Sequence, residues 1–544
     1  MKMPLKYTAA AFAALAAGIG ACAQDITTEV VVERSIQPVE RAATRPSGMT
    51  PVLLLPPVGT VTLSTASYTG LSPVVRAYTS LQPARGADVP TEGPWRGYVS
   101  LGYFPVYNLG FAAGYRVISD ARSTLDVHAS FNGFDYKAWD DADEKNKYNG
   151  GTIGADYSLR PNGYSRLTAS ADYTYASAAT YYTTSQSRNA GHINVGWESE
   201  LQGLEYSAAI KADIDAFGDT RLDLGTVNTP YDGLRQQLYG IDFGAALPFG
   251  EDNKIGVDLS ATFMHSTGDT RFAYSSSATL GIAHIRPYYS LRSGDVSASA
   301  GLNVDFFTGG TGSKVHVSPA IDLVWTPAQI LALHVTATGG TGFNSVRSML
   351  DQCPLLPAFG SFGRYRVPYD ISGAIIVGPA AGFTATLSGG YSHAKNVLMP
   401  GLAMLSQPMA ERDAKGWHGC LELGYEQRLF SVGASAEIAS SDAASGKGYY
   451  LWTDGARWQI KAHGTVRPVE RLAVGIDYTF RSHRHTPTTS LGCISDLAMR
   501  ATYRFTDRLD VFANVENLLG RRYLIVPTVS SQKLHGLVGA TFRF

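Results

Sequence analysis

The chain has 544 residues, with 45 Lys plus Arg against 46 Asp plus Glu, for a formal net charge of −1. So even a balance leaves no electrostatic footprint for nucleic acid. Hydrophobic residues make up 44%, yet beyond the N-terminus there is no run of eighteen apolar residues, which excludes a spanning helix, while 57 Gly, 30 Tyr and only 9 Met favour strands and turns.

Residues 1–23 read as an export leader. Lys2 and Lys6 form a positive region, Thr8 to Gly20 an apolar core, and Ala21-Cys22-Ala23 fits a small-x-small cleavage site. Ile19-Gly20-Ala21-Cys22 also resembles a lipobox, which would make Cys22 a lipidated N-terminus. Either route exports the chain.

Residues 24–94 form an extended N-terminal segment, lying in the periplasm or the lumen. Frequent prolines remove backbone donors and fix φ, so no packed core is expected. Two stretches stand out as candidate partner-binding residues. Glu29-Val30-Val31-Val32-Glu33-Arg34 is β-prone and could pair with a partner's edge strand. Leu53-Leu54-Leu55 sits in a proline-bounded apolar run that would be a liability in the periplasm unless covered.

From Trp95 to Phe544 one pattern repeats: about ten residues of alternating apolar and polar character, then a turn. Val296, Ala298, Ala300, Leu302, Val304 and Phe306 point one way, while Ser297, Ser299, Asn303 and Asp305 point the other. Leu125, Val127, Ala129 and Phe131 face out against Thr124, Asp126, His128 and Ser130; Leu472, Val474, Ile476, Tyr478 and Phe480 face out against Asp477, Thr479 and Arg481. Ten short turns, at 119–120, 161–163, 202–203, 250–253, 293–294, 326–328, 378–379, 429–430, 467–469 and 506–507, alternate with longer polar connections near 137–147, 178–187, 219–232, 266–275, 341–365, 397–413, 443–454, 484–491 and 519–532. Short turns on one rim and longer loops on the other mark an outer-membrane barrel, short turns periplasmic. Ten turns separate eleven hairpins, hence about 22 strands and both ends of the barrel in the periplasm.

The fold class expected is therefore all-β: a transmembrane antiparallel β-barrel over residues 95–544. Tyr98, Tyr103, Tyr288, Tyr289, Tyr449 and Tyr450 are candidates for interfacial girdles. Of the three cysteines past the leader, Cys420 reads as a strand residue and Cys353 and Cys493 as lying near loops, so a Cys353–Cys493 bridge between outer loops stays open. His483 and His485 alternate at one strand end but read as a solvated pair rather than a metal site. Asp295, Asp305 and Glu516 read as inward carboxylates explained by lumen hydration. The glycine runs at 309–312 and 339–342 open no helix and are not phosphate loops. No catalytic, cofactor or metal residues are assigned, and the chain is not read as an enzyme.

Asn514-Val515-Glu516-Asn517-Leu518-Leu519-Gly520-Arg521-Arg522-Tyr523, followed by Pro527 and the ending Gly539-Ala540-Thr541-Phe542-Arg543-Phe544, resembles the C-terminus of TonB-dependent receptors of Gram-negative outer membranes. The turn phrasing Arg467-Pro468-Val469-Glu470-Arg471-Leu472 and the loop from Asn344-Ser345-Val346-Arg347 to Pro354-Leu355-Leu356 are also similar to that family. The resemblance implies transport of small solutes, with TonB or another periplasmic protein as partner. It also implies a barrel-assembly signal read by the assembly machinery, carried here by Gly539, Phe542 and Phe544, with Leu537 where that signal usually has a polar residue. Residues 24–94 are too short for the family's folded plug and lack its Gly-rich strand pattern, so the barrel is read as plugless. Two functions follow. One is a barrel in outer-membrane lipid that passes or gates small solutes. The other is a non-transporting scaffold that anchors a periplasmic or surface complex through its N-terminal segment.

Overall fold

The computed structural model describes residues 95–544 except 141–143, 182, 202, 224–227, 232, 251, 269–276, 310–313, 359–362, 401–408, 444–454 and 487–489. The candidate residues Glu29 to Arg34 and Leu53 to Leu55, the leader, the plug question, Tyr449 and Tyr450 all lie outside the described residues.

One antiparallel sheet of 24 strands dominates. Two of these, Thr220–Asp223 and Asn228–Tyr231, form a small hairpin on an outer loop, leaving a closed barrel of 22. Closure is direct: the last strand, His535–Arg543, pairs with the first, Gly97–Phe104, from Tyr98↔Arg543 to Tyr103↔Val538. All ten expected connections join neighbouring strands on the rim where the barrel begins and ends, but 326–328, 378–379 and 467–469 still belong to strands, and the turns there fall just past them at 329–330, 381–382 and 470–471.

Residues paired across a ladder share a face, so alternation in each strand becomes continuous rows around the wall. The outward rows are apolar: Val195↔Ile210↔Ile241, Val304↔Val317, Leu387↔Leu421, Ile476↔Met499, and Phe542↔Val99 across the seam. Val304 and Leu421 are half-buried and the others are exposed on the outer surface, as a lipid-facing wall requires. Charges occupy the inward rows. Arg116 donates to Asp126 (2.7 Å), His128 lies 3.5 and 3.0 Å from Asp156 and Asp172, and Lys211 lies 2.6 Å from Asp242. A Lys or Arg on the lipid face at the midplane would cost about 2–4 kcal/mol, so this segregation sets the register.

Several expectations are corrected. The span 178–187 is not a long connection: strands Ser165–Thr180 and Thr183–Leu201 continue almost to their turn, because past the bilayer a strand's outer face can be polar. Tyr98 and Tyr288 are not girdle residues. Tyr98 shares the inward row of Arg543, and the Tyr288 ring lies over Gly256, its Cβ against Gly301, with the Arg286 guanidinium 5.4 Å from the ring centroid. Tyr103 and Tyr289 do face out. Asp295 sits exposed in a turn rather than in the lumen, whereas Asp305 is buried against His284 (2.5 Å) and Glu516 pairs with His535 (3.2 Å). Cys353 and Cys493 are both free.

Candidate functional site: loops folded into the outer mouth

The longest outer connections do not spread outward. Residues 344–363 include a helix, Val346–Gln352. Ser345 caps it: its Oγ accepts from the Ser348 amide (3.1 Å), and the Ser348 Oγ accepts from the Ser345 amide (3.1 Å). Val346, Met349, Leu350 and Cys353 fall at helical spacing and form one buried stripe. Two turns of helix are marginal alone, so the packing of that stripe holds it.

The stripe enters an apolar cluster with Leu355, Leu356 and Ala358 from the same loop and Ile525, Val526 and Val529 from the loop between Glu516 and His535. Wall residues from separated strands complete it: Phe134 and Tyr136, Phe217, and Leu398. In barrel order these strands are the third, seventh and fifteenth, so the cluster bridges the outer end of the lumen.

Polar bonds moor the helical loop to the wall at several strands. Gln236 Oε1 accepts from the Val346 amide (2.8 Å) and Gln186 Oε1 from the Ala358 amide (2.9 Å). Asn344 Nδ2 donates to the Asn396 carbonyl (2.7 Å) and to Glu411 (2.9 Å). Arg347 reaches Asp213, and its Nε lies 3.5 Å from the fully buried Asp215. Both carboxylates have a second partner on the wall: His192 for Asp213 (2.6 Å) and Arg188 for Asp215 (2.7 Å).

The second loop is shaped by Asn517, whose φ of 49° turns the chain. Its Nδ2 donates to the carbonyls of Arg521 (2.6 Å) and Gln532 (2.8 Å), closing the loop's base. A short ladder, Leu524–Val526 with Val529–Ser530, carries the apolar tip. Arg484, fully buried, donates to the carbonyls of Leu524 and Ile525. Tyr136 donates to the Ser530 carbonyl (2.6 Å), and Asp140 holds Lys533 (2.9 Å) and Arg522 (3.3 Å). Burial, then Asp496, raises the Tyr523 phenol far above its ordinary range, and burial pushes the Cys353 thiol up to about 12.

The expected chain-end residues are also placed. Phe542 and Phe544 are exposed on the outer surface and stack at 6.2 Å, with Tyr115 against Phe544 at 6.1 Å. Gly539 faces Gly102 across the seam; a Cβ there would stand 2.0 Å from the Leu101 carbonyl oxygen. Leu537 is buried with Phe512 inside the wall, against Gly102 and Gly110. His483 and His485 end their strand, and among the described residues no group of three or more metal-ligating side chains is assembled. What the residue pattern did not announce is the mooring set: Gln186, Gln236 and Arg484 each carry a polar head from the wall to a loop far away in sequence, and Arg347 carries one from its loop to the wall.

No protein-family model and no curated protein matches the chain. Solved structures do. The FrpB iron transporter from Neisseria meningitidis (F3-3 variant) superposes with a TM-score of 0.64 at 13% identity, covering 84% of this chain and 82% of that one. The siderophore receptor PirA from Acinetobacter baumannii gives 0.61 at 10% identity over 83% and 80%. The copper transporter OprC gives 0.64 at 10% identity over 84% and 82%. At such identities the likeness is one of fold, and that fold is the 22-stranded outer-membrane barrel of TonB-dependent receptors.

Proposed function

We propose that this protein is an outer-membrane transport barrel whose outer mouth is gated by its own loops, passing small solutes when the cap of residues 344–358 and 517–534 moves. The observation that carries the reading is how the cap is held. It is joined to the wall by side-chain bonds and one apolar cluster, not by backbone ladders, so it can leave without unzipping a strand. The polar lumen wall suits a hydrated passage, and the neighbours in fold include transporters of iron and copper. No substrate is assigned, since the inward rows mix both charges.

On the same reading residues 1–23 are the removed leader, the barrel spans the outer membrane, and Glu29 to Arg34 with Leu53 to Leu55 engage TonB or another periplasmic protein. The scaffold function is favoured by one specific feature: an apolar cluster spans the mouth at rest. Planar-bilayer conductance separates the two. The full chain should be closed or nearly so, and weakening the Arg347 mooring should produce openings. A barrel silent in the full chain, in Arg347→Ala, and after deletion of residues 24–94 would sink transport and leave the scaffold.

A further inference from the structure

Strands Lys145–Asn162, Ser165–Thr180 and Thr183–Leu201 stand taller than the apolar wall they belong to. Their outward rows climb from the short turns in unbroken register. Leu159↔Leu167↔Trp197 is followed by Tyr157↔Ala169↔Val195, Ala155↔Ala171↔Ile193, Ile153↔Tyr173↔Gly191 and Gly151↔Tyr175↔Asn189. The next row, Asn149↔Ser177↔Ser187, is polar, and Lys147↔Ala179 lies above it. From Leu159 to Asn149 the strand climbs about 26 Å, at about 3.4 Å per residue and a tilt of about 40°. The apolar band of such barrels is about 25 Å tall, so the polar rows begin where the lipid tails end.

Those upper rows hold an open groove of about 670 Å³, lined chiefly by Lys147, Asn149, Ser177, Ala179 and Ser185. It opens away from the lumen, since its residues continue the row parity of Ile153 and Tyr175, and Ser185 is tied to that face by its bond to Ser177 (2.9 Å). Charge on this face is close to balanced. Lys145 lies 3.3 Å from Asp135, the register sets the same Asp135 opposite Lys147, and Lys137 opposite Lys145 is offset by Glu144 on the groove's edge. Such a balance gives a phosphate little to hold, and leaves hydroxyl and amide chemistry. Tyr107 donates to Asn149 Oδ1 (2.9 Å), and the Asn149 Nδ2 donors make no other bond among the described residues. At the groove's foot Tyr173 and Tyr175 are both exposed, and Tyr173 donates to Asn189 Oδ1 (2.6 Å).

Solvation alone would make these strand ends polar, but it would not hollow them above two exposed aromatic rings. We infer that the groove seats the sugar headgroup of an outer-leaflet glycolipid, whose acyl chains lie on the apolar rows of Ile153, Tyr173 and Ile193 directly beneath. The continuity of groove and apolar rows selects an amphiphile over a free saccharide, and the near balance of charge selects sugar hydroxyls over a phospholipid's phosphate. The inference holds whether the barrel transports or anchors, because the groove lies outside the lumen and apart from the cap.

The test uses the full chain, purified from its own outer membrane in mild detergent and read by native mass spectrometry. The probes added are rough lipopolysaccharide, its free core oligosaccharide, and phosphatidylglycerol. A photo-crosslinking residue at Ala179, or at Ser440 on the outward row of Trp417 as control, reports the place of contact in the membrane. The expected result is lipopolysaccharide retained in preference to phosphatidylglycerol, and linked from 179 but not from 440. N149L/S177V removes groove hydrogen bonds and should cut the bound glycolipid about tenfold. Ala179→Trp fills the groove without touching those bonds and should do the same. Both variants should keep the heat-dependent gel shift of a folded barrel. No link from 179, equal links from 179 and 440, equal retention of phosphatidylglycerol, or free oligosaccharide bound as tightly as the whole glycolipid would each overturn the proposal.

Discussion

Replacing Arg347 by Ala should loosen the outer cap by a measurable and bounded amount. The guanidinium is 27% exposed and bridges Asp213 and Asp215, the latter fully buried. Hydrogen bonds to charged groups are worth about 1.5–3 kcal/mol, and a carboxylate left buried and unpaired costs more. Here neither carboxylate is left alone, because His192 and Arg188 remain bound to them. The expected weakening is therefore about 2 kcal/mol, which multiplies the open fraction of the cap about thirty-fold. Cys353 supplies the assay. Its thiol is fully buried beneath the helix and pushed up to about 12, so in the closed cap it offers neither access nor thiolate. Maleimide labelling of Cys353 should rise by about that factor in Arg347→Ala, while exposed Cys493 labels at an unchanged rate as internal control. Equal Cys353 labelling in both proteins, with the variant barrel folded, would refute the claim that Arg347 moors the cap.

Other expectations follow from the seam and the second loop. Gly539→Ala should prevent a stable barrel, seen as loss of the heat-dependent gel shift, since the new Cβ would meet backbone rather than a movable side chain. Leu537→Ala removes a buried side chain packed on Phe512 and should cost about 2–3 kcal/mol in denaturant midpoint experiments, without changing lipid insertion. Hydrogen bonding to Lys533, with Arg522 also near, lowers the Asp140 pKa below its ordinary 3.8. A depressed acid stabilises above its unfolded value and loses that contribution as pH falls through its folded one. Protection of the amides in residues 517–534, taken as the exchange rate relative to the intrinsic rate at each pH, should therefore be constant from neutrality down to about pH 4 and fall only below it; a loss of protection between pH 7 and 5 would contradict this assignment.

The barrel was legible because one rule governs it: a side chain on a wall between lipid and water declares its side through polarity. Most tight turns on the rim where the barrel begins and ends were marked by local chemistry, as in Pro161-Asn162-Gly163 or Ser293-Gly294. The first outer turn was not. Pro105-Val106-Tyr107 places Val106 and Tyr107 at φ of 70° and 59°, where Gly or Asn is usual, so residue type gave no warning. Tyr98 and Tyr288 misled for another reason. Tyrosine suits both an interface and a lumen wall opposite glycine, and only the register decides. The cap lay hidden in what looked like a polar loop, although Ser345 followed by apolar residues at 346, 349 and 350 is the outline of a capped helix. Its moorings were beyond local reading, since Gln236 and Val346 are 110 residues apart and neither carries a distinguishing neighbour.

The strands differ greatly in length around the wall. Thr183–Leu201 runs 19 residues, whereas the seam strands Gly97–Phe104 and His535–Arg543 run 8 and 9. With all inner ends tied by short turns, ten residues at about 3.4 Å each, tilted by about 40°, raise one side of the outer rim about 25 Å above the other. The tube is bevelled like a quill, its low lip at the seam. The loop of residues 517–534 stands in that notch, between Glu516 and His535. The wall is thus lowest where that loop stands, so on the seam side it is the loop and its apolar tip, not the strands, that close the outer mouth.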